Sequence, residues 1–333
     1  MIELVLYLLL PLTAISPFVL LVFKGSLSVE NIQKYVLGYH LFCLLILLIT
    51  FLNTDQKQII YGFDNIDNLF LRKSLELRIN KIIINFMTIL HVAGLIQISL
   101  REEFKNNIRE TFCYFIFYFL VMLEMCSSNI LTIVSIEEIL LLILYLNYRV
   151  RDSLVAYDSR YFKVSNLFML LGGLVYLIDI ESNIMQYDFF TAKSLASAFI
   201  VCGAIIKLHL FPFNRNKFSN YTLEMNKGII EQQFLALLPT LAILTKLISD
   251  HALTPFSIMI LFYFSLVTVF LTSLSLIVQN NVKNISRLLM HAGICIFILH
   301  LCTGNISEAI YSFMTHTLSY LGIVAFIGIV SYK

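Results

Sequence analysis

The sequence predicts an all-α polytopic membrane protein with about eleven transmembrane helices. Three observations carry that reading. The mean hydropathy is +0.85 and 59% of the residues are hydrophobic. Charged residues make up only 13% of the chain, about half the usual quarter of a soluble protein. The apolar residues are also gathered into runs long enough to cross about 30 Å of hydrocarbon.

In chain order these runs fall near 1–23, 33–53, 82–100, 110–128, 130–147, 164–180, 193–213, 229–249, 254–278, 287–303 and 306–331. The first begins Met-Ile-Glu, with no basic n-region and no clear Ala-x-Ala site, and reads as a first membrane helix rather than a cleaved signal. The fourth and fifth are separated only by Ser127-Ser128-Asn129. The longest polar connection, 54–81, is rich in Asp, Asn, Arg and Lys and is the natural place for a peripheral contact. The organisation expected is an N-terminal group of three helices over 1–110, carrying loop 54–81, followed by helices four to eleven over 111–333.

Charge placement gives an orientation. Connections on the N-terminal side hold six Lys and Arg residues, five of them in the one long loop, and those on the other side hold fifteen. The basic side should face the cytoplasm or matrix, with the N-terminus outside and the C-terminus inside. The net charge of +2 says nothing about nucleic acid, but the chain has no basic tract or nucleic-acid motif, and no such partner is expected. The six cysteines show no CxxC or other metal spacing and read as small buried hydrophobes.

The seventh run is the most informative. Lys207 lies near its middle, followed by His209 and Phe211-Pro212-Phe213. A lysine in hydrocarbon costs roughly 2.5–3.5 kcal/mol on insertion scales. Pro212 has no backbone donor and should break or kink the helix. Irregular backbone at membrane depth survives only where protein or water covers it. A charge beside a broken helix therefore points to a protein-lined, hydrated interior. The other ionisable residues within the runs are Glu124, Glu137, Glu138 and Lys246, with His91, His291, His300 and His316. Glu137 and Glu138 project about 100° apart on a helix, so one of them suffices to face the interior, and Glu138 is the candidate. Lys246 stands one turn from the end of its run and can snorkel to the interface. A histidine in an apolar helix is ordinarily a hydrogen-bonded packing residue. The candidates for proton transfer are Glu138, Lys207, Lys246, His209 and His291, because titratable groups bridged by water are the physical minimum for a proton path. No catalytic, cofactor-binding or metal-binding residue is recognisable.

Four stretches resemble a known family. They are Ser127-Ser128-Asn129 with Glu138 and Tyr145; Arg160-Tyr161-Phe162 with Gly172-Gly173; Lys207 with Phe211-Pro212-Phe213; and Gln279-Asn280-Asn281-Val282-Lys283 with Arg287 and His291-Ala292-Gly293. Tyr311 through Ser319 and Gly322 extend the match, so that order and spacing agree over roughly 127–330 while 1–110 fits only in helix number and hydropathy. The pattern resembles the antiporter-like membrane subunits of respiratory complex I, and among them the subunit 2 family of NADH:ubiquinone oxidoreductase. The resemblance implies an antiporter-like fold with a broken seventh helix. It implies protons moved through a fifth-helix glutamate, matched by Glu138, and a seventh-helix lysine, matched by Lys207, driven by quinone reduction elsewhere. It places NADH, FMN, the iron–sulfur clusters and ubiquinone on partner subunits, with no cofactor in this chain. It makes the other membrane-arm subunits and membrane lipids the partners.

Three departures qualify it. The family's eighth-helix lysine is replaced by Thr240 after Pro239, with Lys246 six residues on. The Trp-Pro-Asp-x-x-Glu-Gly run after the seventh helix is missing, and the chain has no tryptophan. Counted from Glu138 as the fifth helix, the chain stops after the eleventh of the family's fourteen, so a separate polypeptide supplying helices twelve to fourteen is expected. The Phe-, Ile-, Leu-, Tyr- and Asn-rich composition fits a mitochondrial inner-membrane protein. Two other readings remain: another cation/proton antiporter-like protein, within a complex or alone, and a structural subunit that has lost pumping. An unrelated secondary transporter is the remaining alternative.

Overall fold

The computed structural model describes residues 11–19, 29–53, 59–61, 77–100, 108–127, 129–148, 155–182, 192–213, 237–280 and 282–331. Among these residues are eleven helices: α1 (11–19), α2 (Val29–Asn53), α3 (Lys81–Leu100), α4 (Ile108–Cys126), α5 (Ile130–Tyr148), α6 (Val155–Ser182), α7 (Ala192–Lys207), α8 (Leu238–Ser249), α9 (Pro255–Val278), α10 (Val282–Cys302) and α11 (Ile306–Ser331). The all-α expectation holds apart from one short antiparallel ribbon, β1 (Ile59–Tyr61) on β2 (Leu77–Ile79), within the polar connection 54–81. Leu77 also bridges to Ser127, which ties the ribbon to the end of α4.

Local chemistry explains several boundaries. Asn129 separates α4 from α5 by capping the latter: its side-chain oxygen accepts from Leu131 N at 2.9 Å. This is an N-cap asparagine meeting one of the four backbone donors a helix leaves open. Asn80 does the same for α3, accepting from Ile83 N at 3.0 Å. At α9, Thr254 is the N-cap and Pro255 takes the first helical position, where a missing N–H costs nothing.

On α9 the outward face is apolar and the inward face carries hydroxyls. Phe256, Met259, Tyr263, Phe270 and Ile277 are exposed, while Ser257, Ser265, Thr268 and Thr272 are buried. A helix bathed in hydrocarbon has this distribution, because lipid does not compete for hydrogen bonds. Asn31–Leu52 and Pro255–Val278 are the two described segments both long and apolar enough to cross a membrane. The chain is a polytopic membrane protein.

Packing sorts the helices into two units, 1–156 with 226–239, and 157–225 with 240–333. In the first, α2 packs on α3 and α4 on α5, around buried Phe86, Tyr114, Phe115 and Tyr118. The packing groups the helices differently from a division at residue 110, because α4 contacts both α3 and α5. In the second unit, α10 lies between α9 and α11, and α9 also meets α7. There α6 and α7 approach backbone to backbone. A Cβ on Gly203 would stand 2.6 Å from Met169 Cγ and 2.9 Å from Ser165 O. The space left free lets Ser165 Oγ donate to Gly203 O at 2.7 Å.

Candidate functional site

Lys207 is the last residue of α7 and only 2% exposed. Sequence placed the break at Pro212; the helix instead ends five residues earlier, and its own backbone ends it. Leu210 N donates to Ile205 O (3.0 Å) and His209 N to Ile206 O (3.2 Å). His209 carries a φ of 53°. This is the Schellman termination, with His209 in the left-handed position that glycine usually fills. Histidine is among the residues that tolerate that region better than most. The same device ends α8, where Ala252 N donates to Leu247 O (2.8 Å) and His251 N to Ile248 O (3.1 Å), with His251 at φ 52°.

The broken segment is covered by its own unit. His291 of α10 reaches across and its Nε2 donates to Leu208 O at 3.1 Å. Phe211 N donates to Thr268 Oγ1 of α9 at 2.8 Å. The backbone groups opened by the break thus find partners in protein, as membrane depth demands. The Lys207 ammonium sits over the ring of Phe162, 5.8 Å from its centroid, within reach of a cation–π contact. The edge of that ring faces His209 at 6.4 Å. The C-terminal end of a helix carries partial negative charge that favours a cation there, so α7 itself helps to hold Lys207. The His291 bond to a carbonyl fixes the proton on Nε2 and leaves Nδ1 to take or give one.

The other expected residues lie elsewhere. Lys246 is half-buried in the last turn of α8, where its stem can carry the charge toward the interface. Thr240, at the position where the resemblance places a lysine, is fully buried. The expectation that Glu138 takes the inward position is corrected. Glu138 lies on the exposed face of α5, and Glu137, 3% exposed, is the buried carboxylate. The buried stripe of α5 runs through Ile133, Val134, Ile136, Glu137 and Leu140, a helical spacing that leaves Ser135, Glu138, Ile139 and Leu142 outward. That spacing was available in the sequence. Glu124 of α4 is buried as well. Both acidic residues belong to the first unit and Lys207 to the second.

Sequence reasoning missed one polar cluster in the first unit. His40 of α2, His91 of α3 and Tyr114 of α4 are buried and bonded to one another, His40 Nδ1 to His91 Nδ1 at 2.9 Å and His40 Nε2 to Tyr114 Oη at 2.6 Å. No sequence spacing links three residues on three helices. The one local signal is Gly94, three residues after His91 on the same helix face.

No protein-family model matches the chain, and no curated protein matches it either. Solved structures do. A chain of respiratory complex I from Thermus thermophilus, solved with bound aureothin, superposes with a TM-score of 0.71 at 17% identity, over 96% of this chain and 70% of that one. A chain of the Mrp complex from Dietzia sp. DQ12-45-1b superposes with a TM-score of 0.74 at 12% identity, over 99% of this chain and 38% of that one. At such identities the likeness is one of fold. Both neighbours are chains of multi-subunit assemblies, and the fold agrees with the resemblance to the antiporter-like membrane subunits of complex I drawn from the sequence.

Proposed function

We propose that the chain is a proton-translocating membrane-arm subunit of a complex I-type NADH:ubiquinone oxidoreductase. Lys207 is its central proton carrier and His291 the neighbouring group that exchanges protons with it through water. The observation that carries this reading is a buried lysine at the end of an interrupted helix, with the interruption sealed by His291 and Thr268. A helix terminus and an aromatic face hold the Lys207 ammonium at this buried position. Within the first unit, Glu137, rather than Glu138, is the buried carboxylate of α5. The redox groups, NADH, FMN, iron–sulfur clusters and ubiquinone, belong to partner subunits in this reading, and the partners are the other membrane-arm subunits. The mitochondrial inner membrane, with the basic connections on the matrix side, is the location that composition and charge bias favour.

The test is Lys207→Met in the assembled complex, reconstituted in vesicles, with NADH oxidation and proton uptake measured together. The expected result is a lower proton-to-electron ratio at normal complex abundance. An unchanged ratio would support a second reading, a structural subunit that bridges its neighbours. One observation favours that alternative: the buried threonine at position 240 where the resemblance calls for a lysine. A chain purified without NADH-oxidising partners, but exchanging sodium for protons, would instead support a cation/proton antiporter of the Mrp kind.

A further inference from the structure

The His40–His91–Tyr114 cluster has the form of a wire rather than of isolated packing bonds. Each imidazole has two nitrogens, and in the neutral ring one donates and the other accepts. His40 uses both: Nδ1 meets His91 Nδ1 at 2.9 Å and Nε2 meets Tyr114 Oη at 2.6 Å. The tautomers of the two rings are therefore coupled. If Tyr114 donates to His40 Nε2, then His40 Nδ1–H donates to His91 Nδ1, and His91 must carry its proton on Nε2. If the order is reversed, His91 Nε2 is bare. In both states His91 Nε2 is the end of the chain, and that atom is buried with no hydrogen-bond partner among the described residues. A buried ring nitrogen at membrane depth is costly without a partner, so the arrangement calls for one beyond the described residues.

The surroundings are built to hold the rings. Tyr39 packs against both histidines, with centroids 5.0 Å from His40 and 5.8 Å from His91. Its hydroxyl is buried beside Thr13 and Cys43. Tyr118 covers His40 from α4 at 5.0 Å. Gly94 makes the seat: a Cβ there would lie 2.5 Å from His40 Cε1 and 2.8 Å from Nε2. Only a residue without a side chain lets the His40 ring lie against α3.

We propose that Tyr114, His40 and His91 form a proton relay within the first unit, ending at a water molecule bound to His91 Nε2. The step balances in protons. His91 Nε2 gives its proton to the water, and His91 Nδ1 takes the one on His40 Nδ1. His40 Nε2 takes the one on Tyr114, and Tyr114 regains one from a hydronium on its own side. One proton crosses from α4 to α3, no ring gains net charge, and the opposite tautomer of each ring remains to be reset. The proposal rests on the reading of the chain as a proton carrier, but involves none of the residues around Lys207.

Two measurements test it. The first is magic-angle-spinning NMR of the full chain in lipid bilayers with ring-labelled ¹⁵N-histidine, His91 being assigned by its loss in His91→Asn. One protonated and one bare nitrogen across the Nδ1–Nδ1 bond, with His91 Nε2 correlated to water protons, is the expected result. A dry His91 Nε2 overturns the proposal, whatever the variants do. The second is proton flux in the reconstituted complex. His91→Asn keeps an amide where Nδ1 stood and removes Nε2, and Tyr114→Phe removes the hydroxyl end. Each should lower flux at least three-fold at normal assembly, and unchanged flux in either assembled variant overturns the relay. Lys207→Met separates the two ideas: if it leaves the proton-to-electron ratio intact while His91 is wet and His91→Asn is slow, the Lys207 reading fails and the relay stands.

Discussion

His291 donates from Nε2 to the carbonyl of Leu208 at 3.1 Å, the residue immediately after the end of α7. This bond from α10 fastens the interruption that leaves Lys207 at a helix terminus. Interhelical hydrogen bonds in membranes are worth about 0.6–2 kcal/mol. His291→Phe should therefore lower the stability of the second unit by about 1–2 kcal/mol, measured by thermal unfolding in detergent. His291→Gln, whose amide N–H can reach the same carbonyl, should recover most of that loss. It should not recover proton transfer, because an amide does not titrate. Full activity in His291→Gln would remove His291 from the proposed path.

The α6–α7 contact gives a prediction free of any functional assumption. A side chain on Gly203 would collide with Met169 and with the Ser165 carbonyl. Overpacking of this kind costs typically 1–3 kcal/mol. Gly203→Val should destabilise the chain by that amount and displace the end of α7 that bears Lys207. Gly38 has nothing within 4 Å of its would-be Cβ, and Gly38→Ala should be neutral or slightly stabilising in the middle of α2. Equal melting temperatures for the two variants would contradict the packing described here.

How far the sequence could be read follows from what each signal depends on. Hydropathy reports burial in lipid along one chain, so the helices and the α4–α5 split at Asn129 were legible. Helix ends depend on backbone bonds that hydropathy does not see. Lys207 was therefore placed inside a helix that ends at it, and Pro212 was given a break made by His209. The helical spacing of Ile133, Ile136 and Leu140 puts Glu137, not Glu138, on the buried face of α5. Contacts between helices are invisible to any one-dimensional pattern, which is why His40 and Tyr114 went unremarked.

The two carboxylates of α5 offer a direct comparison. Glu137 is enclosed by the first unit and Glu138 is outward. Glu137→Gln should alter proton transfer in the assembled complex several-fold. In the isolated chain, Glu138→Gln should change thermal stability by less than about 0.5 kcal/mol, as expected for a surface substitution. An effect of Glu138→Gln that appears only in the complex would mean that the exposed face of α5 meets a neighbouring subunit.

His209 is the residue for which the structural and the chemical readings part most cleanly. Its φ of 53° costs an L-amino acid roughly 1 kcal/mol that glycine does not pay. His209→Gly should therefore leave the end of α7 intact and raise stability by about 0.5–1 kcal/mol. His251→Gly should do the same at the end of α8, where the same backbone bonds recur. Proton flux in His209→Gly should stay at the wild-type level, since a glycine preserves the turn and Lys207 keeps its place over Phe162. A stabilised chain with flux reduced several-fold would instead place the His209 imidazole in the path beside Lys207. A destabilised chain would mean that its edge contact with Phe162, at 6.4 Å, outweighs the strain of its backbone.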